Sequence, residues 1–319
     1  MKTAQLSSRF ARFGSYLLKF TLGVGILAWL LYQFDLGEVV HVTLNFPIKV
    51  YPVLIAAVVA VLACGALRLW VLDSKCWNRP LSSLSIAYTK VQFIGLFIPG
   101  RVSDLLLLRK SPSGTTPNRA AAASAIIVDR FLSCVAVVVF GQLGLAFIYS
   151  NTLWLVGAGL ALVVALGFFY ATPQLLQLVK RLNIPLPLKF HGIAQRIDSA
   201  LTEVLQHSRG WPLFLNLGLF GLRVMISALT YQVLFQSIDI TASSSMILAA
   251  MYAAHLVLLV PLTLWGLGTS EMALVFFFNL VPVRGDIVLS VALLSRLITI
   301  LLLSVVYFFI PDPGKACAE

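Results

Sequence analysis

The stretch LFIPGRVSDLLLLRK, Leu96 to Lys110, places a Pro-Gly break, an arginine, a serine and an aspartate inside a long apolar region. A charged side chain at bilayer depth costs about 2.5–3.5 kcal/mol on insertion scales, so it persists where it is paired or lines a wet cavity. A second stretch, LVPLTLWGLGTSEMALVFFF, Leu259 to Phe278, repeats the design. Together they predict two broken segments that face each other and build one polar site in the membrane for an anionic substrate.

The composition fits that setting. Of 319 residues, 60% are hydrophobic and 11% charged, and the mean hydropathy is +0.95. That is too little polar surface for a soluble globule of this size, so the chain reads as an all-α polytopic membrane protein. A net charge of +11 raises nucleic acid as a partner. The basic residues lie instead in short loops and at helix ends, as the positive-inside rule requires, and no nucleic acid is expected. Cys64, Cys76, Cys134 and Cys317 are scattered without CxxC spacing, which gives neither a disulfide framework nor a metal site. No cofactor is expected. Lys2, Arg9, Arg12 and Lys19 precede an apolar run to Phe34 that is too long for a signal peptide, and its AWLLYQF exit has no small-residue cleavage site. It reads as a retained first span with a cytoplasmic N-terminus.

Six spans are predicted: Tyr16 to Phe34, Tyr51 to Leu72, Ala120 to Ile148, Leu153 to Ala171, Trp211 to Phe235 and Ile287 to Ile310. The loop between the first two (Asp35, Glu38, His41, Lys49) is nearly charge-balanced, as expected outside. Leu84 to Ile98 is too short, at about 1.5 Å per residue, to cross a hydrocarbon core of about 30 Å. If it did cross, Arg101, Arg109, Lys110 and Arg119 would lie outside against Asp104 alone. If the chain turns back at Pro99-Gly100, then Arg109, Lys110 and Arg119 fall in the cytoplasm, which satisfies the positive-inside rule. The segment is therefore expected to be a re-entrant hairpin entering from the cytoplasm. Ser245 to Val260 dips in from the other side, breaks over Pro261 to Gly268 and returns through Ser270 to Leu280. The domain reading is a single transmembrane unit. Its first half covers about 16–171, an amphipathic cytoplasmic connection about 172–210, and its second half about 211–310. A cytoplasmic tail, 311–319, follows. Whether the connection lies on anionic lipid or packs on the bundle stays open.

The two halves share a grammar. An arginine-bearing span (Arg68; Arg223) precedes a broken hairpin with a Ser-acid pair (Ser103-Asp104; Ser270-Glu271), and a second arginine span follows (Arg130; Arg296). Asp104 to Arg130 is 26 residues and Glu271 to Arg296 is 25. Because the hairpins enter from opposite sides, this is an inverted repeat, the recurrent architecture of secondary transporters.

Within apolar segments, Arg68, Arg101, Arg130, Arg223, Arg296 and Lys90 outnumber Asp104, Asp129 and Glu271. Three acids cannot neutralise six bases, so an anionic ligand completes the cluster. Arginine suits phosphate because its planar fork donates two hydrogen bonds at once. Ser103 and Thr269 or Ser270 stand where the returning half-helices would start, as caps beside free backbone N–H groups. The substrate-binding set is then Arg101, Ser103, Asp104, Asp129, Arg130, Arg223, Trp265, Ser270, Glu271 and Arg296, with Pro99, Gly100, Pro261, Gly266 and Gly268 as hairpin breaks. Arg68, near a helix end, can also snorkel. Asp104 and Glu271 are candidates for proton coupling, with His255 as a relay. No HExxH, paired-aspartate, GxSxG or phosphate-loop motif is present, so no catalytic residue is assigned and no enzyme activity is expected.

At these residues the chain resembles the flippase-like family that includes the transmembrane region of lysylphosphatidylglycerol synthases. Pro99, Arg101 and Asp104 match that family's Pro-x-Arg-x-Gly-Glu segment, with aspartate for glutamate. Val128-Asp129-Arg130 is similar to its Val-Glu-Arg, Pro261 and Gly266-x-Gly268-x-x-Glu271 to its Pro…Gly-x-Gly-x-x-Glu element, and Arg296 to the arginine of its last span. The likeness runs from about residue 15 to 310. Ser103 replaces the usual glycine, Leu107 a common arginine and Ser133 a frequent aspartate, so a shared substrate is not implied. The chain has no room for the aminoacyl-transferase domain of full-length synthases, and lysyl transfer is not expected. The resemblance implies movement of a lipid between leaflets. The substrate reading is an anionic lipid, either a phospholipid or a polyprenyl-phosphate-linked lipid, in the cytoplasmic membrane of a prokaryote with both termini cytoplasmic. An integral-membrane enzyme acting on a lipid phosphate, or a soluble-anion transporter, is the alternative. Homo-oligomers and lipid-biosynthesis proteins stay open as partners.

Overall fold

The computed structural model describes residues 2–34, 36–72, 74–78, 80–108, 118–181, 210–257, 262–280 and 283–311; among these, the side chains of 2–16, 75, 99–102, 168 and 172–181 fall outside the description. The helices are α1 (Lys2–Gln33), α2 (Leu36–Leu44), α3 (Val50–Leu72), α4 (Ser74–Trp77), α5 (Leu81–Gly95), α6 (Arg119–Tyr149), α7 (Thr152–Arg181), α8 (Trp211–Gln236), α9 (Ser244–Val257), α10 (Thr269–Phe278) and α11 (Gly285–Phe309). Two 3-10 segments, Pro99–Leu108 and Leu264–Gly266, lie at the breaks. No strand occurs among the described residues. In the membrane every backbone polar group must be satisfied within its own segment, and helices do this.

Five helices are long and apolar enough to cross a bilayer: α3, α6, α7 as far as Ala171, α8 and α11. The pair Leu17–Gln33 and Leu36–Leu44, bent by 89°, is long and apolar enough together, and makes six crossings where the pair counts as one span. The second member of that pair is helix where a loop was expected before Tyr51. Val39, Val42 and Phe46, at helical spacing, turn inward to the core, and Val39 and Phe46 are buried. Ser290 on α11 donates to the Val39 carbonyl at 3.3 Å, and Arg284 pairs with Glu38 at 3.5 Å. Charge balance had hidden this amphipathic period. The described part of the 172–210 connection is the end of α7; residues 182–209 and the tail 312–319 lie outside the described residues.

The core divides into two apolar clusters. One gathers Leu69, Leu72, Trp77, Leu84, Leu107 and the first half of α6. The other gathers Leu54, Phe235, Phe278, Leu289 and much of α9. Helices α3, α6 and α8 each give one end to either cluster; Arg68 and Asp129 lie among the residues of the first cluster, and Asn216 lies between Leu213 of the first and Phe220 of the second. Lipid tails are as apolar as leucine, so helix contact here depends on close packing of small residues. The α6–α9 seam shows it: a Cβ on Gly144 would lie 2.5 Å from the Ala249 carbonyl oxygen, and one on Gly141 would meet Leu256 at 2.3 Å.

At the first break the chain reverses. Ser103 Oγ returns to within 2.8 Å of where a Gly95 Cβ would stand, and Gln92 Nε2 donates to Asp104 Oδ1 at 3.2 Å. The return is made by 3-10 turns over Pro99–Leu108, where an α-helical start near Asp104 was expected. At the second break, residues 258–261, including Pro261, lie outside the described residues. After them Trp265 takes φ 47°, Gly266 φ 69° and Gly268 φ 76° before α10 begins. The two 3-10 segments touch each other.

The packing between halves is reciprocal. Helix α3 packs along α8, its counterpart in the sequence repeat. The first hairpin's α5 packs on α11, with Phe93 stacked on Tyr307 at 4.6 Å between ring centroids. The second hairpin's α9 packs on α6. Each hairpin thus rests on the arginine-bearing span of the opposite half.

Candidate functional site

The first polar node is built on α3, α6 and α8. Arg68 Nη2 lies 3.0 Å from Asp129 Oδ1, and the two side chains are 3% and 4% exposed. Arg68 also donates to Asn216 Oδ1 through Nε at 3.3 Å and Nη2 at 3.1 Å, and to Ser133 Oγ at 2.7 Å. Asn216 Nδ2 returns bonds to Asp129 Oδ1 and the Arg68 carbonyl, both at 3.1 Å. The Arg68 guanidinium stands 5.3 Å from the Phe220 ring centroid. Arg68 is therefore a buried, paired cation and does not snorkel. Beside it, Arg130 pairs closely with Asp104 Oδ2 and lies 3.9 Å from Asp129 Oδ2. Asp104 Oδ1 takes the Gln92 amide, so both carboxylate oxygens are engaged.

The second node is the equivalent in the other half. Arg296 Nε donates to Glu271 Oε1 at 2.6 Å. Glu271 Oε2 accepts from the Gly268 backbone N–H at 2.8 Å, which is the carboxylate half of a capping box, and lies 3.0 Å from Ser270 Oγ. Arg296 Nη2 also donates to Ser270 Oγ and to the Gly266 carbonyl, and its guanidinium sits 4.8 Å from the Trp265 ring centroid, a cation–π contact. The Thr269 and Ser270 hydroxyls are directed to the Gly266 carbonyl, at 3.1 and 2.8 Å. They stabilise the turn from behind, where side-chain caps had been expected.

Gly268 is required twice over. Its φ of +76° favours glycine, and a Cβ there would lie 2.6 Å from the Gly23 carbonyl oxygen and 2.9 Å from Ile26 Cβ on α1. Gly268→Ala is expected to destabilise the protein by about 1–3 kcal/mol, read as a lowered melting temperature in detergent. Gly25→Ala, on the same α1 helix with nothing within 4 Å of the added Cβ, is the control and should melt with the parent.

Between the nodes lies a cavity of about 160 Å3. Leu54, Ala57, Val58, Val61 and Leu62 of α3 form its apolar wall, opposite Gln92, Trp265 and the polar faces of α8 and α11. Arg223 opens into it. Arg68, Arg130 and Asp129 are within electrostatic range of Arg223, yet no side chain among the described residues makes an ion pair or hydrogen bond to its guanidinium. The one contact seen is at its backbone, where its carbonyl accepts from Ser227 at 3.2 Å. Asp129, Asp104 and Glu271 are committed to Arg68, Arg130 and Arg296, and of the remaining cations expected from the sequence Arg223 is the one that lines the cavity among the described residues.

Of the expected substrate set, Arg223 and Trp265 line the cavity. Asp104, Asp129, Arg130, Ser270, Glu271 and Arg296 form the two nodes that flank it, and Ser103 is buried at the first reversal. The side chains of Pro99, Gly100 and Arg101 lie outside the description. His255 sits in α9 with Nδ1 2.7 Å from the Met251 carbonyl oxygen and its ring against Phe220. Sequence reasoning passed over Gln92, Asn216, Ser227, Thr230, Ser295 and Thr299. A signal was present for some of them: Arg223, Ser227 and Thr230 recur on one helical face, as do Ser295 and Thr299.

A fold that is helical throughout the described residues, with apolar helices of spanning length and buried ion pairs among them, defines an integral membrane protein with a charged interior. A family model described as the lysylphosphatidylglycerol synthase TM region matches residues 16–306, which take in both breaks, both nodes and the cavity, and the chain belongs to that family. No curated protein and no solved structure matches the chain.

Proposed function

We propose that the protein moves an anionic lipid between membrane leaflets, with the lipid phosphate held at Arg223 between the two broken segments. The observation that carries this reading is the Arg223 guanidinium, which has no ion-pair or hydrogen-bond partner among the described residues, in a cavity flanked by Arg68, Arg130 and Arg296, each paired with an acid. An isolated cation in a low-dielectric interior is costly, and a phosphate oxygen pair would complete its fork. The apolar α3 wall suits the start of an acyl or prenyl chain. Reciprocal packing of each hairpin on the opposite half supports the inverted repeat, and such repeats work by rocking one bundle against the other around a central site. The charge distribution favours a cytoplasmic membrane with both termini in the cytoplasm.

A lipid-phosphate enzyme acting through one of the cavity's hydroxyls would need a base beside it, and among the described residues the lining offers no carboxylate, histidine or cysteine. The carboxylates proposed to carry protons have their oxygens occupied by donors, so any coupling through Asp104 or Glu271 would require a node to open.

The test is reconstitution of the full chain into phosphatidylcholine vesicles containing acyl-labelled phosphatidylglycerol, with dithionite reporting the outward-facing pool. Complete bleaching is expected, against about half in protein-free vesicles. Bleaching of half with protein present would reject the reading, and vesicle uptake of inorganic phosphate without lipid movement would favour soluble-anion transport.

A further inference from the structure

The cavity specifies more than a negative charge. Among the described residues Arg223 is the cation of its lining, and Gln92, Ser227, Thr230, Tyr231, Trp265, Ser295 and Thr299 supply neutral amide, hydroxyl and indole groups. Resting on the transport reading above, we infer that the site selects phosphodiester lipids whose headgroup bears hydroxyl groups, a glycerol or sugar, and discriminates against headgroups that bear an ammonium group.

The charge side of this follows from what the lining lacks. An ammonium group that leaves water is costly without a counter-charge, and among the described residues no carboxylate lines the cavity. The three interior acids behind its walls are held by arginine: Asp129 by Arg68, Asp104 by Arg130, and Glu271 by Arg296. An aminoacylated or ethanolamine headgroup would bring a second positive charge within range of Arg223, Arg68 and Arg130 with nothing to offset it. Discrimination by an unmatched like charge is a common source of specificity. The family is described by a synthase of a lysylated lipid, and this cavity is the wrong sign for a lysyl group.

The hydroxyl side follows from how the lining groups are bonded. Ser227, Thr230 and Thr299 each donate their O–H to the carbonyl one turn earlier, at 3.2, 2.8 and 2.8 Å. A hydroxyl that has donated still has lone pairs to offer, so this face of the cavity accepts hydrogen bonds. Ser295 Oγ is buried with no hydrogen-bond partner among the described residues, and Gln92, one of whose amide N–H groups goes to Asp104, has its amide oxygen to accept. A row of acceptors beside one arginine is matched by a headgroup whose phosphate accepts and whose hydroxyls donate. A buried polar site of this kind rejects an analogue lacking the hydroxyl, because its own groups are then left unpaired.

The experiment compares three acyl-labelled probes in the same phosphatidylcholine vesicles: phosphatidylglycerol, phosphatidylmethanol, which keeps the anionic phosphodiester but has no hydroxyl, and phosphatidylethanolamine. Phosphatidylglycerol is expected to move fastest, phosphatidylmethanol several-fold more slowly, and phosphatidylethanolamine at least tenfold more slowly than phosphatidylglycerol. The Ser295→Ala/Thr299→Val double variant should bring the ratio of the phosphatidylglycerol rate to the phosphatidylmethanol rate down towards one. Phosphatidylethanolamine moving as fast as phosphatidylglycerol would overturn the inference while leaving lipid transport standing. Equal rates for phosphatidylglycerol and phosphatidylmethanol in the parent would remove its hydroxyl half. Movement of none of the three would overturn the transport reading itself.

Discussion

Asp129→Asn is expected to destabilise the protein by about 3–5 kcal/mol, the usual consequence of removing one member of a buried ion pair. The asparagine keeps the shape and a hydrogen-bond acceptor but leaves the Arg68 charge, 3% exposed, without its counter-ion. Asn216 and Ser133 are neutral and cannot replace it. Combining Asp129→Asn with Arg68→Gln removes both charges and should recover at least half of the loss, because a neutral polar pair has less to desolvate. The measurement is reversible unfolding in mixed detergent for both singles and the double. A single variant within 1 kcal/mol of the parent would show that Arg68 finds water or another acceptor, and the node would then not be the structural clamp between α3, α6 and α8.

The sequence carried much of this design, and the parts it hid have physical reasons. The number of spans was readable from apolar length, and the two breaks from Pro-Gly and from glycines beside acids. The pairs Asp104–Arg130 and Glu271–Arg296 were foreshadowed by their near-equal separations, since each joins a hairpin to the next arginine span in the same half. Arg68 was different. Its partner Asn216 is 148 residues away, on the counterpart helix of the other half, and no local pattern points to a contact of that kind. Position near a helix end made snorkelling attractive for Arg68, and only the approach of α8 closes that route. The helix Leu36–Leu44 was concealed because its charges balance, so the charge count gave a loop while the Val39, Val42, Phe46 period went unweighed. The surplus of cations was likewise visible, but which arginine is left over depends on which acids the folded chain brings to the others.

Arg223→Gln is expected to slow transport of an anionic lipid by about ten- to a hundredfold, the equivalent of losing one charge-assisted contact of roughly 1.5–3 kcal/mol. Arg223→Lys should fall between the two, since it keeps the charge but loses the planar fork. Stability is the second readout and should move the other way. Arg223 has no ion-pair partner among the described residues, so removing its charge takes away a desolvation cost without orphaning a neighbour, and Arg223→Gln should melt at or above the parent temperature. This is the trade-off expected of a residue retained for binding at the expense of the fold. It separates Arg223 from Arg68, Arg130 and Arg296, whose neutralisation strands a buried carboxylate and should lower activity and stability together. If Arg223→Gln transports at the parent rate, the phosphate is held elsewhere. If it loses stability as Asp129→Asn does, Arg223 is a structural residue and the cavity has no free cation to offer.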